Sequence, residues 1–417
     1  KGWFAKGSST PWNFVGTAVR GNVDLIAQYD VNEDAKIKIE IDPNNGQPTY
    51  VVETFVGDKL YPTVPENPGY DFIGWYVEST GAKYNGVVTN DLSGETLIAM
   101  WEEAKFNVAY QVEANDEITI TGVLDIEAVT ITVPNTINGR KVTKISSKAF
   151  NSRVYIESIN IPANVKVIED GAFRGTMRLQ NINVDSNNAY YCAQSGILYT
   201  KNMETLVCYP TKGAATFTLP ATIKHIGAYA FYSSKDMGIS TIYFNEGLVD
   251  IGDYAFYLNE NITNLQFPTT LKKIGKAAFY GSITSDDEDS YVLPEGVITN
   301  VRFNDGLEEI GEMAFANQYF KNELSLPSSV TTLGDYAFVN CTAITKFIVP
   351  KGLVNWGNNV FAGCTGILKL GIEEENTAFK VVDDILYTKD MKKVIMCPSG
   401  RTEEVTIPEG VTELADY

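Results

Sequence analysis

The chain has one histidine, His225, standing directly before Ile226. A Ser-His-Asp or Cys-His nucleophile needs an imidazole as its base. The residues at the matching place further along the chain are Asp250, Lys273 and Glu309. They share no catalytic type, so His225 reads as a solvent-facing surface residue. The five cysteines contain no Cys-x-x-Cys, the spacing that a zinc site would show. Cys341 and Cys364 lie 23 residues apart, and a disulfide between them would need Cα atoms about 5–6 Å apart. Their slot holds Thr176, Ser234, Asn259 and Ser282 elsewhere, so it takes small polar groups and two free thiols are expected. The run Asp286-Asp287-Glu288-Asp289 offers carboxylates to calcium but lacks the spaced ligands and glycine of a calcium loop. A solvated loop is the expectation. A glycosidase needs only two carboxylates at a suitable separation, and none of the 52 acidic residues stands out as such a pair. No catalytic, cofactor-binding or metal-ligating residue is therefore assigned.

What the chain does display is repetition. An Ala-Phe or Val-Phe pair recurs at Phe150, Phe173, Phe231, Phe256, Phe279, Phe315, Phe338 and Phe361, with 23 residues between 150 and 173, 256 and 279, 315 and 338, and 338 and 361. Such a period is the signature of a solenoid. An aliphatic and a glycine precede most of these pairs, as in Ile226-Gly227, Ile251-Gly252, Ile274-Gly275, Ile310-Gly311 and Leu333-Gly334, with Trp356-Gly357 as the variant. Eleven residues before Phe stands Pro or Asn, preceded by an alternating apolar pair such as Ile159 and Ile161. The alternation predicts a short strand with one buried face. Pro or Asn ends it. Ile, Ala and Phe then return along the opposite wall and fill the interior. One such coil cannot bury its own apolar face, so coils must stack.

Two gaps are longer. Phe173 to Phe231 carries an insert, near 185–212, that reads as a β-hairpin; it returns 188 residues later, near 373–400, with Ile385-Leu386-Tyr387 matching Ile197-Leu198-Tyr199. Pro408 matches Pro220, which would place the next Phe at 419, so the chain is expected to be cut inside a repeat. The first hundred residues repeat differently. Gly74-Trp75-Tyr76 precedes Ala99-Met100-Trp101 as Gly2-Trp3-Phe4 precedes Ala27-Gln28-Tyr29. Residues 1–30 thus read as the back part of a module that residues 31–102 show whole, a small β-rich domain closed by aromatics.

The Ile-Gly-x-x-Ala-Phe and strand-Pro pattern over residues 103–417 resembles the BspA-like leucine-rich repeat family, with Ile118-Thr119-Ile120 to Ile145 as its opening coil. Residues 31–102 resemble the Listeria–Bacteroides (internalin B) repeat through Gly57, Pro62, Pro65, Gly69 to Tyr76 and Ala99-Met100-Trp101. The resemblance implies a mainly β chain: a leucine-rich repeat solenoid of short parallel strands after small β-grasp-like modules. It also implies an exported bacterial surface protein, in some cases an adhesin, with no catalytic motif to carry over.

Net charge is −19, which argues against nucleic acid and anionic membranes as partners. No run of 18 apolar residues is present, so no direct membrane insertion is expected of this stretch. The strand alternation leaves one row pointing outward: Asn160, Asn183, Tyr243, Gln266, Arg302, Ser325 and Ile348, among others. A second outward row, from Thr130 and Ser158 to Lys369 and Glu404, is wholly polar. Together they are expected to form one long sheet face. The expectation is an extracellular, cell-surface interaction protein that binds protein or glycan on a host or neighbouring cell through that face. A purely architectural spacer is the alternative, and a carbohydrate-active enzyme a more distant one.

Overall fold

A computed structural model describes residues 2–7, 9, 25–28, 36–65, 67, 70–103, 106–232, 239–281 and 297–415. The acidic run at 286–289, Ser234 and Ser282 lie outside them. The chain divides into two units, Lys1–Lys105 and Phe106–Tyr417.

In the first unit, Lys36–Asp42 and Thr96–Glu103 pair in parallel at the centre of a four-stranded sheet. Tyr50–Phe55 and Tyr70–Val77 flank them antiparallel. The alternation of Ile37, Ile39 and Ile41 buries one face against Trp75, Leu97 and Ala99. Phe72 packs edge-on against Trp75 and Trp101, with ring centroids at 5.6 and 5.4 Å. Trp75 stands opposite Ala99. In the separate pair Gly2–Ala5 and Leu25–Gln28, Trp3 stands opposite Ala27 in the same register.

The second unit is a solenoid of parallel coils. Its opening sheet joins Val108–Val112, Ile118–Val123, Thr136–Ile137, Arg140–Ile145 and Val167–Ile168. In the coils that follow, the strand before Pro or Asn forms the front wall. Ile159 and Ile161 are buried there, as are Leu324 and Leu326. The residue pair ending in Ile, Leu or Trp forms the back wall. Successive back-wall pairs hydrogen-bond from His225–Ile226 through Asp250–Ile251, Lys273–Ile274, Glu309–Ile310 and Thr332–Leu333 to Asn355–Trp356.

The glycine after each pair continues that ladder. Gly252, Gly275, Gly311 and Gly334 each donate their N–H to the preceding coil's Ile carbonyl at 2.8 Å. The backbones touch here. A Cβ on Gly275 or Gly311 would stand 2.7–2.8 Å from backbone atoms of the coil before it. Glycine is required for want of space, not for unusual dihedrals.

The Ala-Phe corner is a further ladder that alternation does not announce. Phe231, Phe256, Phe279 and Phe315 donate their N–H to the alanine carbonyl of the next coil at 2.7–2.8 Å. The residue two before Phe donates likewise: Tyr254 to Lys276, Ala277 to Glu312, Met313 to Asp335 and Tyr336 to Asn358. These four residues take left-handed φ of 48–57°, which costs an L-residue about 1–2 kcal/mol. The turn aims alternate amides at the neighbouring coil, and those bonds offset the strain. Inside the corner the Phe rings form a parallel stack, with centroids 4.6–5.6 Å apart from Phe231 through Phe256, Phe279, Phe315 and Phe338 to Phe361.

Each insert adds three strands rather than a hairpin alone: Tyr191–Gln194, Ile197–Thr200 and Thr205–Cys208, then Phe379–Val382, Ile385–Thr388 and Lys393–Met396. In each, the third strand pairs in parallel with the next back-wall pair. Buried Asn188 and Asn376 anchor them identically. Their Nδ2 donates to two carbonyls of the preceding coil, and their Oδ1 accepts two amides of the insert.

The single long front sheet expected from the sequence does not form. The front wall divides into four ladders of three, two, two and three strands, and the long nine-stranded sheet is the back wall, continued into the first insert. Front strands are short, and several end at a proline, which has no N–H with which to extend a ladder. The first division also falls where the 185–212 insert intervenes.

Gly311→Ala should destabilise the solenoid by about 1–3 kcal/mol, and Phe315→Ala by about 3–5 kcal/mol. Urea titrations of both variants would show this, and wild-type midpoints would refute the contact-limited stack.

Candidate interaction surface

The front wall carries the residues singled out by the sequence, and their side chains are outward. Asn160 and Asn183 sit opposite one another on neighbouring strands. They are tied together: Asn183 Nδ2 donates to Asn160 Oδ1 at 2.9 Å, and Asn160 Nδ2 to Thr132 Oγ1 at 2.9 Å. Asn300 bonds Asn264 at 2.8 Å, and Lys346 pairs with Glu323 at 3.0 Å. Gln266 is opposite Arg302, and Ser325 opposite Ile348. Ile348 is half-buried and leans over Gly371, whose absent Cβ would lie 3.4 Å from it.

Tyr243 and Arg302 are the two largest polar side chains of the seven. Tyr243 is 59% exposed. Its phenol and the Arg302 guanidinium have no hydrogen-bond or ion-pair partner among the described residues. The structure therefore places the seven residues on one wall but on four ladders, and leaves two of them prominent.

Sequence reasoning passed over an aromatic strip at the Phe corner. Tyr229 stacks on Tyr254 at 4.9 Å, and Tyr232, Tyr257 and Tyr280 follow one another at 5.9 and 5.0 Å. Burial, then neighbouring tyrosines, push the Tyr229 and Tyr257 phenols up. The signal was present: these residues stand two before and one after Phe in successive repeats.

His225 is a member of a charge ladder rather than an isolated surface group. Its Nδ1 lies 2.5 Å from Asp250 Oδ2, and further along the same wall Lys273 pairs with Glu309 at 2.8 Å. Beside this row Lys224 pairs with Glu204, and Lys272 with Glu308 at 2.8 Å. Lys166 pairs with Glu117 at 2.6 Å, and Lys144 with Glu169. Hydrogen bonds from Lys166, Lys144 and Lys224 hold the Glu117, Glu169 and Glu204 carboxyls below their ordinary value of 4.5.

All five cysteines are free. Buried Cys341 and Cys364 donate S–H to the carbonyls of Phe315 and Phe338 on the preceding coil, at 3.2 and 3.0 Å. Both thiols are buried and satisfy carbonyls of the coil before, and burial pushes the Cys341 thiol well up. Among the described residues no group of three or more His, Cys, Asp and Glu is placed to hold a metal. No helix among them is long and apolar enough to cross a membrane.

The BspA type leucine rich repeat region matches residues 201–287 and 289–417, in six copies. That is about half of the chain, and the chain belongs to this family. It is also similar to a Gly-rich membrane protein of Evansella cellulosilytica, 28% identical over 122 residues that make up 28% of this chain and 14% of that protein. The matched stretch thus spans about a seventh of that relative. Among solved structures, a leucine-rich repeat protein of Eubacterium ventriosum aligns at 17% identity, covering 68% of this chain and 99% of that one, with a TM-score of 0.43. A leucine rich cell surface protein of Faecalibacterium prausnitzii aligns at 19% identity over 74% of this chain and 64% of that one, with a TM-score of 0.33.

The depressed glutamates stabilise the fold above their ordinary value of 4.5, and that contribution is lost as pH falls through their lower folded values. The raised Lys144 and Lys166 act oppositely; their contribution is full below 10.5 and is lost as pH rises through their higher folded values. Urea midpoints across a pH series should hold in between and decline at both ends. A midpoint that rose on acidification would contradict the coil-to-coil ion pairs.

Proposed function

We propose that this chain is part of a bacterial cell-surface interaction protein, adhesin-like, whose solenoid binds protein or glycan on a host or neighbouring cell through its front wall. The observation that carries this is the pair Tyr243 and Arg302: a largely exposed aromatic and an exposed guanidinium with no partner among the described residues, on a wall where Asn160 and Asn183, Asn264 and Asn300, and Glu323 and Lys346 are bonded to one another. Tyr and Arg are the residue types enriched at binding hot spots. Membership of a surface-protein family and similarity to a protein called a membrane protein support the extracellular placement. The N-terminal unit then acts as a β-rich spacer of the Listeria–Bacteroides type. We assign no catalytic activity.

The architectural alternative has its own support. The Asn160–Asn183, Asn264–Asn300 and Glu323–Lys346 ladders hold neighbouring coils together and need no ligand.

Arrayed extracellular-matrix proteins and glycans, probed with the purified chain, should give a saturable hit. Changing Tyr243, Arg302 and Ile348 to Ala should weaken it by at least about tenfold. A hit that the triple variant retains would move the site off the front wall, and no hit would favour the spacer.

A further inference from the structure

The back wall is interrupted at each insert. Its ladder stops at Val167–Ile168 and restarts at Tyr191–Gln194; it stops again at Asn355–Trp356 and restarts at Phe379–Val382. These places correspond position by position across the 188-residue recurrence. A stack that skips a coil leaves space beside the last phenylalanine.

At the second interruption that space is filled. The Trp356 ring lies 5.8 Å from Phe361 and 6.0 Å from Phe379. At the first, the same two places hold Ile168 and Tyr191. Isoleucine is much smaller than tryptophan, and the Tyr191 hydroxyl is engaged by the Ile168 N–H at 3.0 Å. A cavity of about 130 Å³ remains, lined by Ile168, Val207, Cys208, Asp170, Arg174 and Tyr229, among others. A cavity of roughly this size takes a group of about six heavy atoms, and this one is partly open, with Asp170 at its exposed rim.

The charges differ between the copies as well. Asp170 and Arg174 correspond to Asn358 and Ala362 at the filled site. Arg174 lies over the Tyr229 ring at 5.8 Å. The Asp170 carboxylate has no hydrogen-bond or ion-pair partner among the described residues. Glu169 beside it is engaged by Lys144 and by the Ser147 N–H. Asp170 is exposed to solvent; desolvation by the atoms around it, then the negative charges of Asp253 and Glu169, raise its carboxyl above its ordinary value. A cation seated there would relieve that repulsion.

We propose that this cavity is a binding site for a primary ammonium on a short apolar stem, with the stem among Ile168, Val207 and Cys208 and the head on Asp170. The chemistry is that of a lysine side chain or a free alkylamine. The site is separate from the front wall and does not depend on the reading given for it.

Calorimetric titration of the whole chain with n-butylammonium, and with Nα-acetyl-lysine methylamide, tests this. Binding of either is expected, with n-butanol much weaker; the lysine derivative binding better points to a partner's side chain, the amine binding better to a free ligand. Asp170→Asn should weaken binding by about tenfold or more, the scale of one charge-assisted hydrogen bond. Ile168→Trp, which installs the residue of the filled copy, should abolish binding without lowering the melting temperature. Binding unchanged in both variants, no binding of either amine, or binding of glucose in place of the amines would overturn the proposal.

Discussion

Backbone contact between successive coils governs this molecule. The coils bond to one another at the Ile-Gly pair and again at the Ala-Phe corner, and both contacts are close enough to dictate residue type. Glycine is needed where a Cβ would strike the preceding coil at 2.7–2.8 Å. The residue before Phe is small where two corners nest. Left-handed dihedrals at Tyr254, Ala277, Met313 and Tyr336 are tolerated because they aim amides that would otherwise be buried and unpaired. The Phe stack then fills the space that remains.

The same constraint explains what happens when it is broken. An insert that separates two coils ends their back-wall ladder, and residues of the insert become the partners of the last coil, as where Ile182 donates its N–H to the Gly196 carbonyl at 2.9 Å. Both copies of the insert solve the backbone problem alike, through Asn188 and Asn376. They solve the packing problem differently, with Trp356 in one and Ile168 in the other. Such a stack tolerates long additions at its corners because each addition disturbs only its neighbours.

A chain of net charge −19 still stacks because neighbouring coils place opposite charges opposite one another on the back wall. Exposed pairs of this kind contribute little singly, but from His225 to Glu309 they set unlike groups opposite one another. The front wall does the equivalent with asparagines. Part of the regular surface is thereby engaged between coils, and the proposed binding rests on positions that depart from that pattern. Tyr243 and Arg302 are such departures.

The sequence by itself determined the coil. The 23-residue period, the alternating Ile159 and Ile161, the Ile-Gly pair and the Ala-Phe corner are local and recur, so each copy confirms the others. It also placed the inserts and gave the outward register that carries Asn160, Asn183 and Tyr243. It did not reveal that the continuous sheet is the back wall, because a two-residue pair carries no alternation to read. It did not reveal that His225 meets Asp250, that Tyr229 and Tyr254 stack, or that Trp356 fills a space which Ile168 leaves open. Those facts depend on which coil lies against which, and across an insert that neighbour is 58 residues away rather than 23. Periodicity specifies the unit, while contacts between units are decided only when the chain has stacked.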